Sequence, residues 1–165
     1  MTKYDELAGR AVALAARLNK IEVQCRQKAA AVIRRFAEVL EAPEGRVSAV
    51  DLNDDLSFPP DVKHKTGWPE VVQGADGLWY FGIRVTYGDP QGHAWLFESI
   101  VLAIRADTDP VTSFGLQLAD GSERKIESSD DLDEFLNDVI ADTERRLVEA
   151  LQGRRKSIGF TTSAN

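Results

Sequence analysis

The residues best suited to chemistry cluster in one proline-rich stretch, Phe58 to Pro69 (FPPDVKHKTGWP). Lys63, His64 and Lys65 stand just before Gly67 and Trp68. Positive charge beside an aromatic ring is what holding an anionic ring compound, such as a nucleotide, requires. Tyr80 and Arg84 share one face of a neighbouring strand, and His93 and Trp95 follow the next turn. These eight residues are the candidate ligand set. The competing reading is structural: Phe58 and Trp68 pin a long connection to the core while the lysines stay hydrated.

Motifs of catalysis are missing from the sequence. The phosphate loop, the dinucleotide glycine fingerprint and the nucleophile elbow are all absent. His64 and His93 lack neighbouring cysteines and the spacing of a zinc site. Asn53, Asp54 and Asp55 read as a turn, because the ligand spacing of a calcium loop does not follow. Cys25 falls on the packed face of a helix, a poor place for a nucleophile that must be exposed and activated. The sequence therefore predicts no catalytic residue, no metal and no cofactor.

The elements that position these residues follow from periodicity. Leu78 to Tyr87 alternates cleanly, with Trp79, Phe81, Ile83, Val85 and Tyr87 on one face. Tyr80, Gly82, Arg84 and Thr86 take the other face. Gly88 to Gly92 closes a hairpin into a strand, Ala94 to Arg105, that is apolar on both faces and so should be central. Glu98 falls on its richer apolar face, which requires a partner; Arg84 across the hairpin is the candidate. Further strands are expected at Arg46 to Asp51, Val111 to Ala119 and Ser122 to Glu127, the last a charged edge. Ser128 or Ser129 caps a final helix whose buried stripe runs from Leu132 through Leu136 and Val139 to Leu151.

All of this hangs on the N-terminal run from Tyr4 to Glu41. Leu7, Ala11, Leu14, Leu18, Ile21, Cys25, Ala29, Val32, Phe36 and Val39 recur in steps of four and three. On a helix they form one narrow apolar seam. A strict seven-residue repeat breaks at Lys28 and Arg35, which favours a straight helix over a long supercoil. Ala8, Val12, Ala15, Val23, Ala30, Ile33 and Ala37 widen the apolar surface to about half the circumference. Arg10, Arg17, Lys28 and Arg35 line the opposite flank, either as a solvated face or as a groove for an acidic partner. Such a helix is roughly 57 Å long at ~1.5 Å per residue. A ten-residue strand spans only about 33 Å. One end should overhang the sheet, and exposed apolar surface of that size calls for a partner. Leu7, Leu14, Leu18, Ile21, Val32 and Phe36 are the expected oligomer interface, in a symmetric homodimer.

Composition is that of an acidic globular chain: 165 residues, net charge −7, 43% hydrophobic and 28% charged. One domain is expected over 1–153, with the long helix at 1–42, the sheet at 46–127 and the second helix at 129–152. Residues 154–165 read as a flexible tail. The acidic balance outside the first helix disfavours nucleic acid. The single cysteine excludes an intrachain disulfide, the polar start (MTKYDELAGR) does not read as a signal peptide, and a cytoplasmic setting is expected. No apolar run approaches the ~20 residues of a membrane span.

The sequence thus predicts an α+β fold: a long helix, an antiparallel meander of about four to five strands, and a C-terminal helix. The expected function is a non-catalytic, oligomeric binding or adaptor protein acting through protein–protein interaction. The alternative is a binder of an anionic or nucleotide-like small molecule, with an enzyme of unknown class third.

Overall fold

The computed structural model describes residues 2–60, 68–88, 94–106, 114–118, 120–153 and 160–162; of residues 94–96, 150–151 and 160–162 only the backbone is described. The architecture is α+β. Helix α1 (Lys3–Val39) leads into strands β1 (Val47–Val50), β2 (Val72–Gln73), β3 (Trp79–Gly88), β4 (Ala94–Arg105), β5 (Phe114–Gln117) and β6 (Glu123–Ile126). Helix α2 (Ser129–Leu151) and a short strand β7 (Phe160–Thr162) complete the described elements.

Both ends of α1 are specified locally. Thr2 and Asp5 form a reciprocal capping box, the Thr2 hydroxyl accepting from the Asp5 amide and the Asp5 carboxylate accepting from the Thr2 amide. At the other end Glu41 takes a left-handed conformation (φ 51°). The Ala42 amide donates to the Ala37 carbonyl and the Glu41 amide to that of Glu38. These paired bonds are a Schellman stop, made here with glutamate where glycine is the ordinary choice. Ser128 caps α2: its hydroxyl accepts from the Asp131 amide, and the Asp131 carboxylate accepts from the amides of Ser128 and Glu127.

The sheet is antiparallel throughout, in the order β1-β3-β4-β5-β6, with β2 added beside β3 and β7 beside β4. The β3/β4 hairpin is its centre, pairing Trp79 with Ile104, Phe81 with Leu102, Ile83 with Ile100 and Val85 with Glu98. That register puts these eight residues on one face. The seven apolar ones form a single core with Cys25, Ala29, Val32 and Phe36 of α1 and with Phe135, Leu136 and Val139 of α2. Both helices therefore cover the same face. The opposite face of β3 is approached by the 51–60 segment instead, with Val50, Leu52 and Phe58 around Gly82.

Gly82 stays in register with Val50 and Val101, so it marks neither a bulge nor a bend. Its role is close approach. A Cβ there would lie 2.8 Å from the Val50 carbonyl oxygen and 3.0 Å from the Phe58 ring. β2 was not foreseen in the sequence: it forms because the Gly74–Gly77 turn folds Val72 and Gln73 back onto Tyr80 and Trp79. The C-terminal stretch expected as a tail places Phe160–Thr162 alongside Leu96–Glu98; its remaining residues lie outside the described ones.

Two changes test this account by thermal or urea denaturation. Gly82→Ala forces a Cβ against backbone and should cost about 1–3 kcal/mol. Glu41→Gly relieves the left-handed φ without touching a packed side chain and should raise stability by roughly 0.5–1 kcal/mol; a lower midpoint would contradict the assigned helix stop.

Candidate functional site

Helix α1 divides into two halves of opposite character. From Cys25 onward its seam is buried: Cys25, Ala29, Val32 and Phe36 are at most 1% exposed. From Lys3 to Lys20 every residue but Ala8 is exposed, Leu18 least among the large apolar ones at 38%. Tyr4 is 78% exposed, Leu7 64%, Val12 70% and Leu14 57%. An end of the rod was expected to overhang, and it is the N-terminal end.

The contacts at the junction show where the overhang begins. Arg26 bridges Glu22 (2.6 Å) and Glu70 (2.9 Å), and the Lys28 ammonium lies 4.9 Å above the Phe114 ring. Phe114 and Trp79 mark one end of the sheet, and residues before Ile21 extend beyond it. Further along, the Arg35 guanidinium grips Asp133 through two bonds of 2.7 and 2.6 Å and reaches Glu38 at 2.8 Å. That pairing holds the Asp133 carboxyl below its usual range, chiefly through the Arg35 hydrogen bonds. On the packed half, Arg35 of the basic flank is thus met by an acid of α2 and Lys28 by an aromatic ring. Arg10, Arg17 and Lys20 of the overhang stay exposed.

Part of the expected oligomer interface needs correction. Val32 and Phe36 belong to the intrachain core and offer no surface. They share the seam with Leu7 and Leu14, but the sheet and α2 cover it from Cys25 on. Ile21 is half-buried at the boundary, leaving Leu7, Leu14 and Leu18 as accessible members.

The candidate ligand set is only partly placed. Lys63, His64, Lys65 and His93 lie outside the described residues, and Trp95 is described only as backbone in β4. Trp68 is 58% exposed, two residues before the Glu70 that pairs with Arg26. Tyr80 and Arg84 do share the face away from the helices. The Tyr80 hydroxyl donates to Asp76 at 2.5 Å, which draws the Asp76 carboxyl down and pushes the Tyr80 phenol up. Arg84 lies 4.9 Å over the Phe97 ring. Among the described residues no group of three or more His, Cys, Asp or Glu could hold a metal, and no helix is long and apolar enough to cross a membrane. Burial, and then the Glu22 charge, push the Cys25 thiol up to about 12. That leaves it protonated and inert at neutral pH.

One buried polar group was recognised in sequence but given the wrong partner. Glu98 is 1% exposed on the helix-facing side of β4. Arg84 is on the other face of the sheet and cannot reach it. The partners are Arg146 from α2, whose Nη2 lies 3.2 Å from Oε1, and Tyr87, whose hydroxyl donates to Oε2 over 3.4 Å. The Arg146 contact lacks the alignment of a hydrogen bond, and Arg146 Nε turns toward Asp142 at 3.0 Å. Charge compensation is therefore incomplete. Burial pushes the Glu98 carboxyl up to about 7 against the pull of Arg146 and Tyr87, and Asp142 adds to the rise. Tyr87 is raised to about 12, by burial first and by Glu98 second.

The sign of the pH dependence follows. Between the ordinary glutamate value of 4.5 and about 7, the folded state holds a proton on Glu98 that the unfolded state has released. This contribution to stability is complete below 4.5 and is lost as pH rises through 7. It amounts to about 3 kcal/mol at most. Glu98→Gln should remove that decline, leaving the variant relatively more stable at pH 8 than at pH 5 when each is compared with the parent by denaturation. An unchanged difference across this range would remove Glu98 as the titrating group. The comparisons with known proteins add no kinship to this geometry: no family model, curated protein or solved structure matches the chain.

Proposed function

We propose that this chain is a non-catalytic binding or adaptor protein that works through protein–protein contact, beginning with its own self-association. The carrying observation is the uncovered N-terminal half of α1. Tyr4, Leu7 and Leu14 are each more than half exposed on a helix whose later seam residues, Cys25, Ala29, Val32 and Phe36, are at most 1% exposed. Scattered apolar residues on a surface need no explanation, but a contiguous stripe on one helix does. Its capping box and alanine content make the segment a stable rod. A rigid apolar rod loses little conformational entropy when it binds, which favours association.

The small-molecule reading has less to stand on. Of its eight residues, the described side chains of Tyr80 and Arg84 are engaged with Asp76 and Phe97. Trp68 is exposed, but it stands near the foot of the rod, where it serves a protein contact equally well.

Sedimentation over a concentration series tests the proposal. The parent chain should move from monomer to dimer as concentration rises. Replacing Leu7, Leu14 and Leu18 together by glutamate should abolish the dimer and leave the unfolding transition of the globular part within about 0.5 kcal/mol, since none of the three is in the core. A parent chain that stays monomeric into the millimolar range would refute self-association.

A further inference from the structure

We infer that the partner of the exposed rod is a second copy of the same rod, running antiparallel and in a fixed register. This inference rests on the self-association proposed above and adds geometry to it.

The first argument is the repeat. From Tyr4 to Cys25 the seam keeps strict coiled-coil spacing: Tyr4, Leu7, Ala11, Leu14, Leu18, Ile21 and Cys25. Of the next three positions of that repeat, Lys28, Val32 and Arg35, two are charged, and all fall in the half that packs on the sheet and α2. The coiled-coil pattern thus ends where intrachain cover begins. A helix-on-helix seam has been kept only where no sheet is available to fill it.

The second argument is steric. Leu7, Leu14 and Leu18 lie on the same arc as Cys25, Val32 and Phe36, within roughly 40° at 3.6 residues per turn. A partner helix seated on the overhang in parallel would run on into the space that β3 and β4 already occupy. A partner running the other way brings its own N-terminus to that boundary and ends there. Tyr4 of one copy then lies level with Ile21 of the other, Leu7 with Leu18, and Ala11 with Leu14. Each layer sets a smaller residue against a larger one or balances two of similar size, whereas parallel pairing stacks Ala11 on Ala11 and leaves a void.

Helix dipoles favour the same direction, since antiparallel helices oppose theirs.

The contact is small. Two rods about 27 Å long and roughly 11 Å wide give a footprint on the order of 300 Å² per copy. A standard interface buries ~800 Å² per partner. Trp68 stands at most about 7 Å of chain from Glu70, which pairs with the Arg26 turn, so it can add a ring at the foot. The expected dimer therefore dissociates on dilution.

The test keeps the two proposals separable. With the unsubstituted chain at dimerising concentration, small-angle scattering should show two bodies about 50 Å apart, because some 35 residues of rise separate the packed segments. A single compact mass of twice the size would overturn the antiparallel register and leave self-association standing. Disulfide trapping gives a second reading, in a Cys25→Ala background. Leu7→Cys mixed with Leu18→Cys should yield the mixed disulfide, while either alone should not cross-link. Self-cross-linking of Leu7→Cys means a parallel seam. A dimer by mass that forms neither disulfide places the interface elsewhere and overturns this inference alone. A chain that never dimerises overturns both.

Discussion

The structure depends on one contact, the burial of the Cys25-to-Phe36 seam of α1 against the inner face of the β3/β4 hairpin. Four side chains of one helix and seven apolar residues of two strands meet there, Glu98 lies at the edge of the same face, and α2 closes the side. At ~25 cal/mol per Å², burying aromatic and branched side chains such as Phe36, Phe81, Ile83 and Leu102 supplies most of the drive to fold. Because α1 and α2 share that face, the other side of β3 is approached, among the described residues, by the 51–60 segment. Only Gly82, with no Cβ, lets the 51–60 segment lie close on it.

That contact also sets where the polar groups must go. Glu98 sits on the buried face because β4 alternates strictly from Ile104 back through Leu102 and Ile100. Once there, it needs a cation from whatever element covers that end of the sheet, and α2 supplies Arg146. Arg35 meets Asp133 across the helix pair for the same reason. The two pairs differ in worth. Arg35–Asp133 is two-toothed but partly exposed, so solvent screens it. Glu98–Arg146 is deep but poorly aligned, and incomplete compensation at low dielectric raises its carboxyl. The contribution of the second pair changes between pH 4.5 and about 7, whereas the first, whose carboxyl lies below its usual range, weakens only in acid.

Much of this was legible in the sequence. The fold class followed from periods of two and 3.6, and the two long strands from their alternation and the turn between them. The alternation of β3 told correctly which residues face the helices, because each is fixed by the pleat. The overhang followed from length alone, since a helix of about 57 Å cannot be hidden by strands of about 33 Å. Three features were out of reach. β2 is two residues long and exists only through its pairing. Arg146 is 48 positions from Glu98 in sequence, and nothing local marks it as the partner in preference to Arg84. Val32 and Phe36 repeat the pattern of Leu7 and Leu14, so periodicity identified the seam but not which half of it the chain covers.

That last ambiguity has a physical root. Helix formation is cooperative, with an unfavourable first turn and favourable extension. Tertiary packing of residues 25–36 nucleates α1, and the alanine-rich segment upstream extends it with no contact of its own. The Thr2–Asp5 capping box then closes the far end. The same propensity that makes the rod persist thus exposes Leu7, Leu14 and Leu18 to water, where a flexible segment would have collapsed onto the body and hidden them. A sequence that meant only to complete the core could end its helix near Ile21 and lose nothing from it. Extending the helix by some five turns, capping it, and holding leucines at coiled-coil spacing along it makes physical sense when that surface is covered by something outside the chain.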